Sequence, residues 1–239
     1  MKPLNMNKVD LFTRQLVGEF QQSRLLLLSE LSLDELIANN AHILLNMDHY
    51  QAGSFIKISM DAYLSSKEKS QIYFMLRKLA LFIIIDLHNG VESDQPGVDF
   101  EFTKNDMYFL VSMQSRIEWN YSSTDLFLIQ ALCEQEEKII RILPNLKIRK
   151  VIGEYLGHSQ PTMINNCTWC IKGKSFWELI SGDANFYFHH IQNLIHQAIN
   201  NNEDFVYKRD GKENILTKDF IKQYCDLSWS INWKQIYNK

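Results

Sequence analysis

The sequence contains little proline, glycine and cysteine. Its 239 residues include 4 Pro, 9 Gly and 4 Cys. This composition argues against extensive disorder, and four cysteines do not make a disulfide scaffold in a chain of this length. Cys167 and Cys170 form one CxxC pair without a second pair, which favours two buried free thiols over a zinc site. We therefore expect reduced thiols and a cytoplasmic protein.

Long hydrophobic runs and an excess of positive charge are also missing. The longest apolar runs, at 25–28 and 79–85, are far shorter than the roughly 20 residues of a membrane span. The residues after Met1 are too polar for the apolar part of a secretory signal. The net charge of -3 argues against a protein that coats nucleic acid by bulk charge, although it leaves room for a local basic cleft.

What is present is an ordinary balance of 46% hydrophobic and 22% charged residues, which predicts a single well-filled domain over 1–239. Helical spacing of apolar residues dominates the first part of the chain, beginning at 9–20. Ser32 followed by Glu35 is typical of a helix N-cap, and a third helix is expected from Ser65 to a cap at Gly90. We expect a helical subregion over 1–60 and a core over 61–239.

The pattern changes after residue 97. Phe100 and Phe102 alternate with Asp99 and Glu101, which predicts a half-buried strand. A turn at 104–106 and a second strand at 108–113 follow. Further predicted elements are a helix at 123–143, a strand at 147–155, and helices at 176–180, 186–200 and 216–226, the last capped by Thr217. The sequence therefore predicts one α/β domain with a helical N-terminal part.

The first strand of this hairpin carries two carboxylates. Asp99 and Glu101 should lie on one face about 7 Å apart, because side chains alternate along a strand. Two carboxylates can hold a hydrated Mg²⁺, which polarises a phosphoryl oxygen and helps to form hydroxide. The same spacing is also typical of a solvated strand face, and spacing alone leaves both interpretations open.

Longer segments of the chain resemble the PD-(D/E)XK nucleases of type II restriction endonucleases. The segments that carry the resemblance are 63–66, 97–102, 108–112, 176–183, 217–220, 224–226 and 231–233. Together they extend over roughly residues 60–239, and the aromatic-rich segment FWELISGD at 176–183 is the most specific. The resemblance implies a restriction-endonuclease-like core, in which helices flank a mixed sheet. Such a core binds double-stranded DNA, acts as a dimer and uses Mg²⁺ if it is active.

The resemblance also assigns catalytic positions. Asp99 matches the metal-binding aspartate and Glu101 follows it as the family pattern requires, so both are candidate metal ligands. Ser112 occupies the position of the second acidic residue, where serine is usual in this family. Gln114 occupies the position of the catalytic lysine, and a few related enzymes work with glutamine there.

Two further departures concern charge and loop shape. Arg77 stands where the family carries a glutamate that faces the metal. If Arg77 points into the site, its guanidinium competes with the ion for Asp99. The loop after the hairpin has lost both glycines and the proline of the family pattern and keeps Trp119, Asn120 and Ser122. These three residues and Arg116 are candidate DNA contacts, with a solvated turn as the alternative.

The resemblance and the departures together predict a restriction-endonuclease-like DNA-binding protein of a restriction or phage-defence system, with cleavage lost or impaired. One alternative is a fully active type II enzyme that uses Gln114 in place of lysine. Another is a non-catalytic interaction subunit that pairs with an active nuclease. Lys147 and Arg149 share one face of a predicted strand and could contact DNA phosphates or protect a sheet edge.

Overall fold

The computed structural model describes residues 3–44, 52–114, 123–157, 160–164, 167–200, 203–226, 231–232 and 236. Three helices come first: α1 (Met6–Glu30), α2 (Leu33–Leu44) and α3 (Ala52–His88). Ser32 caps α2 as predicted, because its Oγ accepts the Glu35 N–H at 3.2 Å. None of the helices in these ranges is long and apolar enough to cross a membrane.

A mixed six-stranded sheet follows, as predicted. Its strands are β1 (Val91–Glu92), β2 (Phe100–Lys104), β3 (Met107–Gln114), β4 (Ile148–Glu154), β5 (Thr162–Ile164) and β6 (Thr168–Lys172). The spatial order is β1-β2-β3-β4-β6-β5. The pairs β3–β4 and β4–β6 are parallel and the other three pairs are antiparallel. The carboxyl ends of three adjacent strands therefore meet at one edge.

The β2–β3 hairpin has the tight turn that its sequence predicts. Asn105 and Asp106 both have positive φ, 51° and 57°. Asn and Asp tolerate this left-handed conformation, and two such residues match the twist of a two-residue hairpin loop. The turn fixes the register of β2 against β3, pairing Glu101 with Leu110.

The remaining helices flank the sheet or follow it. They are α4 (Ser123–Ile142), α5 (Gly173–Ser181), a π-helical turn (Tyr187–Ile191), α6 (Gln192–Ile199) and α7 (Glu203–Tyr224). The predicted start of the last helix is wrong, because α7 begins at Glu203 and Thr217 lies inside it. The first half of α7 is polar apart from a few side chains. Phe205 is buried, however, and anchors this half in a hydrophobic core.

The third helix also differs from its prediction at both ends. It starts at Ala52 rather than near Ser65, because Phe55 and Met60 are completely buried and extend its apolar face. At its other end Asn89, not Gly90, takes the left-handed conformation, with φ 51°. Gly90 is needed for space instead, since a Cβ there would lie 2.6 Å from the Cβ of Phe102.

The chain forms two compact units. One comprises 1–17 and 72–197 and contains the sheet, and the other comprises 18–71 and 198–239. The core of the first includes Leu110, Leu132 and Ile152, between the sheet and α4. The core of the second joins α2, the first part of α3 and α7 through residues such as Leu36 and Phe220. The organisation predicted from the sequence, one domain with a subregion over 1–60, stays a prediction.

Candidate active site

The candidate site lies at the carboxyl ends of β3, β4 and β6, beside the start of β2. Gln114 ends β3, Glu154 ends β4 and Lys172 ends β6, and each lies opposite the next in the parallel register. Asp99 precedes β2 by one residue, and its N–H donates to the Val111 carbonyl of β3 at 2.7 Å. Ligands of open α/β sheets typically bind at such carboxyl edges.

Both carboxylate oxygens of Asp99 accept short hydrogen bonds. Oδ1 accepts from Arg77 Nε at 2.7 Å, and Oδ2 accepts from the Met113 N–H at 2.6 Å. The Arg77 Nη2 also donates to Glu92 Oε1 at 2.6 Å. Burial would lower the pKa of Arg77, but its hydrogen bonds to Asp99 and Glu92 outweigh this effect and raise the pKa above its ordinary value. The guanidinium thus bridges two carboxylates.

A half-buried tyrosine adjoins this ion pair. Tyr73 on α3 donates its hydroxyl to the Met113 carbonyl at 3.1 Å. Burial, followed by the negative charge of Asp99, raises the pKa of Tyr73 to about 12. The phenol therefore remains a protonated donor at neutral pH and cannot act as a base there.

Glu101 is 7% exposed, and its carboxylate accepts hydrogen bonds from three side chains. Its Oε2 accepts from Tyr108 Oη at 2.5 Å, and its Oε1 accepts from Ser93 Oγ at 2.5 Å and from Gln135 Nε2 at 2.8 Å. Burial and then the hydrogen bond to Glu101 raise the pKa of Tyr108 above its ordinary range. Three donors around one buried carboxylate satisfy its hydrogen-bonding capacity in place of water.

The two candidate metal ligands therefore have different surroundings. Asp99 contacts Arg77 of α3, whereas Glu101 contacts Gln135 of α4. Within the described ranges, no three His, Cys, Asp or Glu side chains form a group that could hold a metal ion. As arranged, these residues do not fit a divalent cation, because a guanidinium neutralises Asp99 and three side-chain donors surround Glu101. The metal-ligand assignment of Asp99 and Glu101 stays a prediction.

The other two candidate catalytic residues also lie in β3. Ser112 Oγ donates to the Gly97 carbonyl, so the hydroxyl is tied to the loop before β2. Gln114 is 7% exposed, and in the part of the chain that the structure describes neither its Oε1 nor its Nε2 has a hydrogen-bond partner. A buried amide without a partner is costly, so it marks a place where a ligand or water is expected.

An ion pair next to Gln114 was missed in the sequence. Lys172 Nζ lies 3.0 Å from Glu154 Oε2, and Glu154 is completely buried. The available signal was a charged or polar residue at the end of each of three apolar strands. In the sequence Lys172 stands out only as part of a basic cluster with Lys174, because the sequence does not say that β4 and β6 are neighbours.

The candidate DNA-binding residues lie elsewhere or cannot be placed. Lys147 and Arg149 are exposed at the amino end of β4, the opposite end from Glu154, and the Arg149 guanidinium lies 5.7 Å from the centroid of the Trp169 ring. The structure thus does not bring these two residues to the carboxyl edge. The remaining candidates, Arg116, Trp119, Asn120 and Ser122, fall outside the described residues.

All four cysteines are free. Cys170 is buried on β6, as expected for a structural thiol, whereas Cys167 is exposed. The expectation that both thiols of the CxxC pair are buried is wrong for Cys167, because it precedes β6 rather than lying within it.

The sequence of the chain matches the model of a known protein family. The sequence model described as type II restriction endonuclease EcoO109I matches residues 7–202. The match includes the sheet, the candidate site and most of the helical N-terminal region, whereas the tail that contributed to the resemblance lies beyond it. No curated protein matches the chain significantly. Because the match covers well over half of its length, the chain belongs to the type II restriction endonuclease EcoO109I family and has a restriction-endonuclease-like fold.

Proposed function

We propose that this chain is a double-stranded-DNA-binding member of its family, from a restriction-modification or phage-defence system, with metal-dependent phosphodiester cleavage lost or strongly impaired. Type II restriction endonucleases generally use a divalent metal ion, and Mg²⁺ is the ion expected if this chain cuts. Lys147, Arg149 and the loop residues Arg116, Trp119, Asn120 and Ser122 are the proposed DNA contacts. The proposed assembly is a homodimer, with pairing to an active nuclease subunit as the alternative.

One observation carries the proposal of impaired cleavage, namely the guanidinium of Arg77 bound to Asp99. A carboxylate recruits a divalent ion through its negative charge and its lone pairs. Arg77 removes both attractions at Asp99, since it neutralises the charge and occupies Oδ1 at 2.7 Å. The ion pair is only partly exposed, with side-chain exposures of 25% and 18%, so solvent screens it less than a surface pair.

Exchange of these charges tests the proposal. We expect Arg77→Glu combined with Gln114→Lys to raise Mg²⁺- or Mn²⁺-dependent cleavage of duplex DNA by at least about tenfold, or about 1.4 kcal/mol in the barrier. The reason is that the exchange returns a carboxylate and an ammonium to the site. Cleavage is measured on a varied pool of DNA, and metal binding is measured in parallel by titration with Mn²⁺.

Arg141→Glu provides the control, because the Arg141 side chain is 79% exposed and its ion pair with Glu137 lies within one helix. This variant makes the same charge change as Arg77→Glu, but away from the site, and should leave cleavage unchanged. If the double variant is folded and binds DNA but gains no cleavage, the site assignment fails. Sequence-specific cutting by the unaltered chain would instead establish the fully active alternative, and absence of DNA binding at low salt would favour the interaction subunit.

A further inference from the structure

The ends of three parallel strands form a row of polar side chains that the proposed function has not used. Gln114, Glu154 and Lys172 are consecutive cross-strand neighbours, so their side chains project from the same face of the sheet. Glu154 is completely buried at the centre of this row, and Lys172 reaches it from the β6 side. We call these three residues the carboxyl-edge row.

The Lys172 side chain is held in place along its length. Its Nζ lies 3.0 Å from Glu154 Oε2, and its side chain is 12% exposed. Its stem passes Gly157, where an added Cβ would lie 3.5 Å from both Cβ and Cδ of the lysine. Gly157 has φ 102°, a conformation that strongly favours glycine, so the loop after β4 can pass close to this stem. The ammonium therefore has a defined position before any ligand arrives.

That position is the one a lysine at 114 would also reach. Residue 114 is the other cross-strand neighbour of Glu154, and neighbouring strands are about 4.8 Å apart. A lysine on either β3 or β6 can therefore place its ammonium beside the same carboxylate. The family pattern has this lysine on β3, whereas here Gln114 stands on β3 and Lys172 approaches from β6.

We infer that Lys172 supplies the ammonium that contacts a DNA phosphate at this edge, in place of the lysine missing at 114. Glu154 positions it, and the Gln114 amide, buried and without a partner in the described residues, can donate to the same phosphate. A purely structural pair explains neither the buried amide beside it nor the location at the carboxyl edge. The inference rests on the proposed DNA binding and concerns which residue contacts the backbone.

The salt dependence of DNA affinity tests this contact without requiring cleavage. Lys172→Met alone removes the cation beside a buried carboxylate, so the test variant is Lys172→Met with Glu154→Gln, which removes both charges. We expect the slope of log affinity against log salt to fall in magnitude by about 1, as for the loss of one phosphate contact. Lys174→Met, which removes an exposed ammonium two residues away, should leave the slope unchanged.

A second variant moves the ammonium across the row. Gln114→Lys with Lys172→Met keeps Glu154 paired, and we expect it to bind DNA with the slope of the unaltered chain. If the chain binds DNA and Lys172→Met with Glu154→Gln leaves the slope unchanged, the inference is wrong while the proposed function stands. An equal loss with Lys174→Met would also overturn it, by indicating a diffuse basic patch. If the unaltered chain binds no duplex at low salt, both fail.

The two substitutions Arg77→Glu and Gln114→Lys should contribute unequally to the gain in cleavage. If Lys172 already provides the ammonium, Arg77→Glu alone should give most of the gain in cleavage, and the added Gln114→Lys should change it by less than about twofold. A gain that appears only when both changes are combined would contradict the assignment to Lys172. Circular dichroism and thermal unfolding of each variant exclude misfolding as the cause.

Discussion

At the scale of single residues, the candidate site is decided by which charges pair. Asp99 and Glu101 are the residue types that a metal site requires, yet each of their carboxylate oxygens already accepts a hydrogen bond within the protein. Arg77 is decisive, because its fork of donors binds Asp99 and Glu92 together. A lysine at position 77 would lack this planar group with donors on two sides. Arginine is therefore better suited than lysine to bind both carboxylates at once.

His88 gives a residue-scale prediction about pH. It is 8% exposed, donates Nε2–H to the Ile180 carbonyl at 2.8 Å and stacks on Phe102. Burial is the main cause that lowers its pKa, and the charge of Lys104 lowers it further. The folded state therefore favours neutral His88. Its contribution to stability is present above the unfolded pKa of about 6.5 and is lost as pH falls below that value.

We therefore expect His88→Gln to flatten the dependence of stability on pH. Glutamine can still donate to the Ile180 carbonyl, but it takes up no proton. The free energy of unfolding in urea should fall less between about pH 7.5 and about pH 5.5 in this variant than in the unaltered chain. His196→Gln, at an exposed histidine of α6, should retain the original slope. Equal slopes for all three proteins would contradict the buried neutral state of His88.

At the scale of elements, close backbone approach positions α3 against the sheet. An added Cβ at Gly90 would lie 2.5 Å from Ile84 Cγ2, 2.6 Å from Phe102 Cβ and 2.7 Å from the Glu101 carbonyl oxygen. Only glycine allows the chain to leave α3 and enter the region before β1 at this separation. The same contact holds the carboxyl end of α3, the helix that carries Arg77 and Tyr73, against the sheet.

A pair of glycine substitutions tests this packing. Gly90→Ala should lower the free energy of unfolding by about 1–3 kcal/mol, because the backbone oxygen and two buried side chains cannot all move away. Gly211→Ala in α7 should raise it by about 0.5–1 kcal/mol, since an added Cβ there has no heavy atom within 4 Å and alanine favours helix. Chemical denaturation measures both, and a neutral Gly90→Ala would refute the close approach.

At the scale of the whole molecule, the net charge of -3 requires DNA contacts to be local. A chain without a global positive field gains little from long-range attraction, so its affinity must come from a few positioned groups. Lys172, Lys147 and Arg149 are proposed for this role. The modest number of contacts predicts a smaller salt slope than that of a strongly basic DNA-binding protein.

The proposed homodimer gives a prediction at the same scale. A two-fold DNA site is matched most simply by a two-fold protein, and cyclic dimers are the commonest soluble oligomers. We expect sedimentation equilibrium to give twice the chain mass of 28.2 kDa at micromolar concentration, and two chains per duplex on DNA. A chain that remains monomeric both alone and on DNA would instead favour pairing with a different nuclease subunit.

The sequence predicted the elements whose signals are local. Alternation at 98–102 and the Asn105–Asp106 turn gave the hairpin, and Ser32 with Glu35 gave the start of α2. The start of α7 could not be predicted, because its polar first half is helical through the burial of Phe205 against distant residues. A helical segment that is stabilised by residues elsewhere in the chain shows no periodic signal in its own sequence.

The sequence by itself determined the mixed sheet with its flanking helices, the hairpin with its carboxylates, and the presence of Arg77, Gln114 and a family resemblance. Only the tertiary structure decided that Arg77 binds Asp99, that Tyr108 and Gln135 enclose Glu101, and that Lys172 meets Glu154. The physical reason is that side-chain periodicity fixes the face of a strand. Which partner lies opposite that face depends on strand order, and strand order is set by packing between distant segments.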